Sequence, residues 1–332
     1  MKNETSVNRK NKRKRDSVIQ ICLAFMGFFL LTAGTPLPVK NSIDWMTGLS
    51  REPIHIAEWP GGKKIAVCFV LYVEEWGLGH GPNFRPDMIN RKPDFVNESF
   101  RQYAINSGII RVGKLFKEQG VPLSIALNAL FPQKHADVWK TFRSLVPQAP
   151  IIAHGINNST DMLPLNRGLK EQEEYIHRTL DLIEQETGVR SHGWSSPSVY
   201  ANADTFAATT AEGITYSLDG MDSDILSRII TKSGPLLLIP YPTVTVDMGQ
   251  YFERLQQASD LEQLWINYVT ELVREAESHP TDEATVVVIG IHPFVVGTPD
   301  GAAALRRVLQ NFKKQKLVWV TDVQEVILNQ HN

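Results

Sequence analysis

The chain has 332 residues, of which 42% are hydrophobic, and its formal net charge is -2. This length is sufficient for one large core or two small ones, and the small net charge excludes a global field that would attract nucleic acid. Of the two cysteines, Cys22 lies in an apolar N-terminal run, so the main domain would hold one thiol, Cys68, and no disulfide.

The first 34 residues have the order of a secretory signal. A basic, polar stretch, MKNETSVNRKNKRKRDS, precedes the apolar run VIQICLAFMGFFLL, and small residues follow at 32–34. The apolar run is shorter than the roughly 20 residues that a membrane span needs. The alternative is an uncleaved anchor that contacts the membrane through residues 18–33. Both interpretations predict that the globular part is exported, with residues 35–58 as a linker.

Strand-like and helix-like segments alternate from residue 59 to residue 330. Apolar, β-branched runs predict strands in KKIAVCFVLYV, VPLSIALNA, PIIAH, VRSHGWSS, ITYSL, PLLLIPY, TVVVIGIH and LVWVTD. Amphipathic segments between them predict helices, most clearly LKEQEEYIHRTLDLIEQETG, which would end at Gly188. The longest irregular stretch is expected from Glu75 to Ser99.

Continuously apolar strands that alternate with helices indicate a parallel sheet covered by helices. About eight strands allow either a closed barrel or an open doubly wound sheet. No G-x-G-x-x-G pattern follows the first strand, which disfavours a dinucleotide-binding sheet. We therefore predict an α/β fold, an irregular (β/α) barrel of about seven to eight strands.

Polar side chains collect where the predicted strands end. In a barrel these ends meet at one rim, where the chemistry takes place, so a shared site is predicted there. Asp322 is the exception, because it is expected to cap the helix that follows. The residues at or just behind the strand ends are Glu74, Glu75, His154, Trp194, Ser195, Ser196, Asp219, Tyr241, Asp247 and His292.

Several of these segments resemble the polysaccharide deacetylase superfamily, and within it the branch of allantoinase-like and cyclic-imide hydrolases. The segments include EWPGGKKIAVCFVLYVEEWG, IIAHGINNST, TGVRSHGWSSPS and IHPFVVGTP, which occur in the family order between Trp59 and Val326. The resemblance implies a deacetylase-type barrel over residues 59–330. It also implies hydrolysis of carbon–nitrogen bonds in linear or cyclic amides.

Metal-dependent members of this superfamily carry paired aspartates after the first strand and an H-x-x-x-H pair after the third. By resemblance, Glu74 becomes the general base, and Glu75 and His154 become metal ligands. Asn158 stands where the second histidine would be, and an amide oxygen is a poor zinc ligand, so zinc would be held weakly at most. The allantoinase-like branch also has an amide there and is regarded as able to work without a metal.

The implied chemistry needs a base, an acid and a group that stabilises the oxyanion. Glu74 would be the base, with Glu75 raising its pKa by like-charge repulsion. His292 would be the acid, kept protonated by Asp247 or Asp219, while His154 would help to polarise the carbonyl. The side chains expected to contact substrate are Asn158, Trp194, Ser196, Asp219 and Tyr241, with Trp194 packing on a flat ring or sugar.

Three functions remain open from the sequence. The first is an exported hydrolase acting on a small ureide, a cyclic amide or an amino sugar. The second is a non-catalytic surface protein that binds carbohydrate, favoured by the missing second histidine and by the absence of arginine from GWSSPS. The third is a zinc-dependent N-deacetylase of cell-wall amino sugars. The retained Glu74, His154 and His292 favour an enzyme over a binding protein.

Overall fold

The computed structural model describes residues 42–82, 93–159, 167–254, 256–280 and 282–330. The predicted signal or anchor, including residues 18–33, lies outside this range. Within the described part of the chain, no helix has both the length and the apolar character needed to cross a membrane.

The described residues form one sheet of eleven strands, and each of the eight predicted strand segments overlaps one of them. The three additional strands are β1, β2 and β8. In chain order the strands are β1 Ser42–Ile43, β2 Ser50–Pro53, β3 Ile65–Val73, β4 Ser124–Leu127, β5 Ile151–Ala153, β6 Gly193–Trp194, β7 Tyr216–Gly220, β8 Ser227–Thr231, β9 Gly234–Pro240, β10 Thr285–Ile291 and β11 Val318–Thr321.

The helices occupy the segments between these strands. They are α1 Phe95–Tyr103, α2 Ile109–Gln119, α3 Leu130–Lys134, α4 Ala136–Leu145, α5 Leu169–Thr187, α6 Thr205–Ala211, α7 Ala258–Ser278, α8 Pro299–Phe312 and α9 Val323–Leu328. As predicted, α5 ends before Gly188, whose φ of 72° is left-handed, and Asp322 caps α9 by accepting a hydrogen bond from the backbone N–H of Glu325. Helix α1 begins inside the predicted irregular stretch, so that stretch is shorter than predicted.

The parallel part of the sheet confirms the predicted fold class. Parallel pairing runs in the order β9-β7-β6-β5-β4-β3-β10, and β11 also pairs with β3. No ladder joins β9 to β10 in the described sheet. Instead, the Thr245 hydroxyl, in the segment after β9, donates a 2.7 Å hydrogen bond to the Val288 carbonyl of β10. We call this join between β9 and β10 the seam.

The predicted linker 35–58 is wrong for the residues that the structure describes. Strand β1 pairs with β2, β2 pairs antiparallel with β8, and β8 pairs antiparallel with β9. The Arg51 guanidinium holds this edge by donating to both carboxylate oxygens of Asp222, at 2.7 and 2.9 Å. The folded part of the chain therefore begins before residue 59.

Alternation along β3 divides the core between the two faces of the sheet. Ile65, Val67, Phe69, Leu71 and Val73 pack with the helices, whereas Ala66, Cys68, Val70 and Tyr72 pack on the face that the strands enclose. Successive side chains of an extended strand point to opposite faces. The two glutamates that follow Val73 are therefore expected to point in different directions.

Two glycines fix the segment after β10. A Cβ atom on Gly108, in the π-helical turn Ala104–Gly108, would lie 2.2 Å from the Pro293 carbonyl oxygen, and one on Gly297 would lie 2.1 Å from the same oxygen. Because neither position leaves room for a side chain, the backbone between α1 and α2 packs directly against the backbone that follows His292.

Candidate active site

The Glu74 carboxylate lies at the end of β3, and its side chain is 4% exposed. Its Oε1 atom is 3.4 Å from Nε2 of His154 and 3.7 Å from Nε2 of His292. The Asn158 side-chain amide donates to the same oxygen, and the Trp76 indole N–H donates to Oε2 at 3.1 Å. Residues distant in sequence are thus gathered around one buried carboxylate.

Asp247 holds His292 in place from the side opposite Glu74. The Asp247 Oδ1 atom is 2.6 Å from Nδ1 of His292, and Oδ2 accepts the His292 backbone N–H at 2.7 Å. Asp247 is completely buried and follows the segment that crosses the seam. The imidazole therefore directs Nε2 towards Glu74. We refer to Glu74, His154, Asn158, Asp247 and His292 as the Glu74 cluster.

The charges in the Glu74 cluster stabilise one another. Burial opposes the charged form of Glu74, but the charge of His292 and hydrogen bonds from His154 and His292 outweigh it and lower the Glu74 pKa to about 2. Burial likewise opposes the charge on His292, but Asp247 and Glu74 raise its pKa to about 10. At neutral pH the pair is therefore a carboxylate and an imidazolium.

This pair makes stability depend on pH in a defined direction. The His292 pKa is raised from 6.5, so its contribution is fully present below pH 6.5 and is lost as pH rises towards 10. The Glu74 pKa is lowered from 4.5, so its contribution is present above pH 4.5 and is lost as pH falls towards 2.

We expect the free energy of unfolding of the wild-type protein to decrease relative to that of His292→Gln as the pH rises from 6.5 to 9.5. Urea titrations across this range measure the difference, and a constant value would contradict the assignment.

His154 presents Nε2 to the Glu74 carboxylate in a fixed orientation. Its Nδ1 atom is 2.8 Å from the backbone carbonyl oxygen of Ser195, which can only accept a hydrogen bond. Nδ1 therefore carries a proton, and Nε2 is the ring nitrogen that faces the Glu74 carboxylate. The histidine that the sequence places at the end of β5 thus lies beside Glu74.

Glu75 does not share the environment of Glu74. Its Oε1 atom accepts from Nζ of Lys134 at 2.7 Å, and its Oε2 atom lies 2.8 Å from Nε2 of His135. In the structure Glu75 pairs with Lys134 and His135, and not with His154, which the sequence prediction gave as its fellow metal ligand. The predicted rise in the Glu74 pKa is wrong, since the imidazolium of His292 lowers it.

The residues at this position do not fit the zinc site of the metal-dependent deacetylases. Glu75 is engaged by Lys134 and His135, and the Asn158 amide points its NH₂ group, which cannot ligate zinc, towards Glu74. Across the described residues, no group of three or more His, Cys, Asp or Glu side chains is arranged to hold a metal ion. We derive no catalytic step through a metal.

A cleft opens onto the Glu74 carboxylate. Trp76, Phe131 and Phe294 supply aromatic walls, and Arg101 and Gln102 of α1 lie on another side. Concave sites with apolar walls and few polar groups are typical of small organic ligands. The aromatic residues of the cleft are not those that the sequence indicated.

None of the five predicted substrate contacts lines this cleft. Trp194 and Ser196 are completely buried, and the Trp194 indole N–H donates to the Ser196 hydroxyl at 3.0 Å. Asp219 accepts from the Ser196 hydroxyl at 2.8 Å, and Tyr241 is 1% exposed. These side chains join the strand ends to one another, so in this arrangement they support the site rather than meet a ligand. Only Asn158, among the predicted substrate contacts, lies beside Glu74.

Tyr72 is a site residue that sequence analysis missed, because it lies inside an otherwise apolar strand. Its ring stacks on His292 at 5.0 Å with an interplanar angle of 11°, and meets His154 edge-on at 4.9 Å. Its hydroxyl is 3.1 Å from Oγ of Ser195, and its ring also stacks on Tyr241. Tyr72 thus packs against both imidazoles of the Glu74 cluster.

Removing the Tyr72 ring should disturb both histidines together. We expect Tyr72→Leu to lower kcat about tenfold or more, because each aromatic contact contributes on the order of 1 kcal/mol. Tyr72→Phe keeps the ring and loses the hydroxyl that bonds to Ser195, so it should have a smaller effect. Steady-state kinetics and circular dichroism of both variants test this. Equal losses in the two variants would assign the role to the hydroxyl instead.

Comparison with known proteins supports the resemblance found in the sequence. No protein-family model and no curated protein sequence matches this chain. Among solved structures, Puue allantoinase is 25% identical with a TM-score of 0.72, and the alignment covers 84% of this chain and 94% of that one.

Two further structures share the fold. A protein described as a probable polysaccharide deacetylase from Pseudomonas aeruginosa PAO1 is 24% identical with a TM-score of 0.71, and one of the same type from Mycobacterium smegmatis is 21% identical with a TM-score of 0.69. Each alignment covers 84% of this chain and 94% of the other. This chain therefore shares, over most of its length, the fold of an allantoinase and of two proteins described as polysaccharide deacetylases.

Proposed function

We propose that this protein hydrolyses a carbon–nitrogen bond in a small amide of the ureide or cyclic-amide class. The observation that carries the proposal is the buried Glu74 carboxylate, which lies within 4 Å of the Nε2 atoms of both His154 and His292 and faces an open cleft. The similarity to an allantoinase supports the substrate class, as does the aromatic wall, which suits a planar ring.

In the proposed reaction Glu74 binds the attacking water and His292 faces the leaving nitrogen. The water oxygen bonds to the carbonyl carbon and its proton passes to Glu74, while the carbonyl electrons move onto the oxygen. When the carbon–nitrogen bond breaks, Nε2 of His292 donates its proton to the nitrogen. The product acid and amine account for all atoms of the water and the amide, and the proton on Glu74 returns to His292.

The electrostatics of the Glu74 cluster couple these two proton transfers. A carboxylate with a pKa of about 2 is a weak base while His292 is charged. Once Glu74 has taken the water proton, its negative charge no longer raises the His292 pKa, so His292 becomes a better acid for the leaving nitrogen. The Asn158 NH₂ group and the His154 ring are placed to stabilise charge beside Glu74.

A hydrolase screen tests the proposed function. The purified protein is incubated with allantoin, hydantoins, cyclic imides and N-acetylglucosamine oligomers, each with added zinc and with chelator. Ring opening of a ureide or cyclic imide in the presence of chelator is the expected result. Zinc-dependent release of acetate would instead indicate the N-deacetylase, and glycan binding without product would indicate the carbohydrate-binding protein.

The location of the protein remains a separate proposal. We propose that residues 1–34 direct export, on the strength of their basic, apolar and small segments alone. Labelling of an epitope added after residue 330 in intact cells, compared with lysed cells, tests it. Labelling that requires lysis would place the protein inside the cytoplasm.

A further inference from the structure

Asn128 lies directly after β4 and is completely buried. Its side-chain oxygen accepts the backbone N–H of Glu75 at 2.9 Å. Its NH₂ group donates to the backbone carbonyl of His154 and, at 3.2 Å, to Oδ1 of Asn158. Its own backbone N–H donates to the Val73 carbonyl at 3.0 Å. One amide thus joins the ends of β3, β4 and β5.

Two backbone groups determine which way the Asn128 amide points. The Glu75 N–H can only donate and the His154 carbonyl can only accept, so the oxygen of Asn128 must face Glu75 and its NH₂ group must face His154. The NH₂ group therefore also faces Asn158. The Asn158 oxygen must accept from it, which leaves the Asn158 NH₂ group directed at Oε1 of Glu74.

We propose that Asn128 is a positioning residue: it sets the polarity of the Asn158 amide, so that an N–H donor and not an oxygen faces Glu74. This inference rests on the proposed function, in which Asn158 stabilises charge beside Glu74. A reversed Asn158 amide would place its oxygen against a carboxylate oxygen, a repulsive contact.

A double-mutant cycle tests whether Asn128 acts through Asn158. On the substrate found in the screen, Asn158→Ala and Asn128→Ala should each lower kcat about tenfold or more, because a hydrogen bond to a charged group is lost or misdirected. KM should change much less than kcat. The double variant should lose little more than Asn158→Ala alone, and losses that multiply would overturn the proposal.

Ser124→Ala is the matched control. Ser124 lies on the same strand and is completely buried, and its hydroxyl accepts the Val323 backbone N–H at 3.0 Å, near the start of α9. This variant should lower the free energy of unfolding without changing kcat. A loss of kcat as large as that of Asn128→Ala would show that any buried polar deletion on β4 has the same effect.

A measurement that needs no substrate separates this inference from the proposed function. In protein labelled with ¹⁵N-asparagine, the Asn158 side-chain amide signal is assigned by its absence from Asn158→Ser. It should shift in Glu74→Gln and remain in place in Glu75→Gln. An Asn158 signal that does not respond to Glu74→Gln would overturn the proposed polarity, whether or not the protein is a hydrolase and whether or not Asn128→Ala folds.

Discussion

Replacing Glu74 by glutamine should lower kcat by about 10²–10⁴-fold, the range typical of a lost general base. The amide keeps the shape of the carboxylate, but it cannot take a proton from water and does not balance the charge of His292. Initial rates on a substrate identified in the screen, with chelator present, measure the effect. Unfolding in urea shows whether the variant remains folded.

Glu75→Gln is the matched control, since it makes the same chemical change one residue further along. Glu75 interacts with Lys134, whose side chain is 48% exposed, and with His135. Because these partners lie outside the Glu74 cluster, kcat should change by less than about threefold. A large loss in Glu75→Gln with a small one in Glu74→Gln would reverse the assignment and restore the metal-ligand role predicted from the sequence.

Replacing His292 by alanine should also lower kcat by about 10²–10⁴-fold, because the leaving nitrogen then departs without a proton donor. The loss should be smaller for substrates whose leaving nitrogen is more acidic, such as cyclic imides, than for simple amides. Comparing the two substrate types in the wild-type and variant proteins measures this dependence. An equal loss on both would indicate that His292 does not act as the acid.

His135→Ala provides the comparison for this prediction. His135 is also an imidazole beside a glutamate, but it faces Glu75 rather than the Glu74 cluster. Its removal should leave the dependence of rate on the leaving group unchanged. If both histidine variants flattened or steepened that dependence alike, proton donation by His292 would not explain the effect.

The parallel strands were predictable because burial on both faces of a sheet demands continuous apolar runs, as in the nine-residue β3. The antiparallel edge, which consists of β1, β2 and β8, could not be predicted in this way. Strands β1 and β2 are two and four residues long, and β2 reads SREP, with no buried residue to produce a pattern. Their pairing depends on β8, whose position is set by a distant part of the chain.

For the candidate site, the sequence predicted which strand ends meet but not how each side chain turns. Glu74, His154, Asp247 and His292 were all identified from their place after apolar runs. Two adjacent glutamates are indistinguishable by composition, and only alternation combined with the observed face of β3 separates them. Aromatic residues were chosen by the same rule, which selected Trp194 although its indole lies in the core.

Residues that act from within a strand or by backbone hydrogen bonds gave no such signal. Tyr72 looked like a core residue, and Asn128 looked like the end of a strand. Alternation along β3, which predicts that residues 72 and 74 share a face, was the available clue to Tyr72. For Asn128 the decisive partners are main-chain groups of Glu75 and His154, and no sequence pattern records those.

Glu74 and Glu75 have different partners, so we expect evolution to tolerate substitutions at Glu75 more readily than at Glu74. A change at Glu75 can be offset at Lys134 or His135, both of which lie outside the Glu74 cluster. The Glu74 carboxylate contacts two imidazoles and an amide supplied by other segments, so no single substitution elsewhere could compensate for its replacement. Homologues should therefore vary at Glu75 together with Lys134 and His135, while Glu74 stays unchanged wherever turnover is retained.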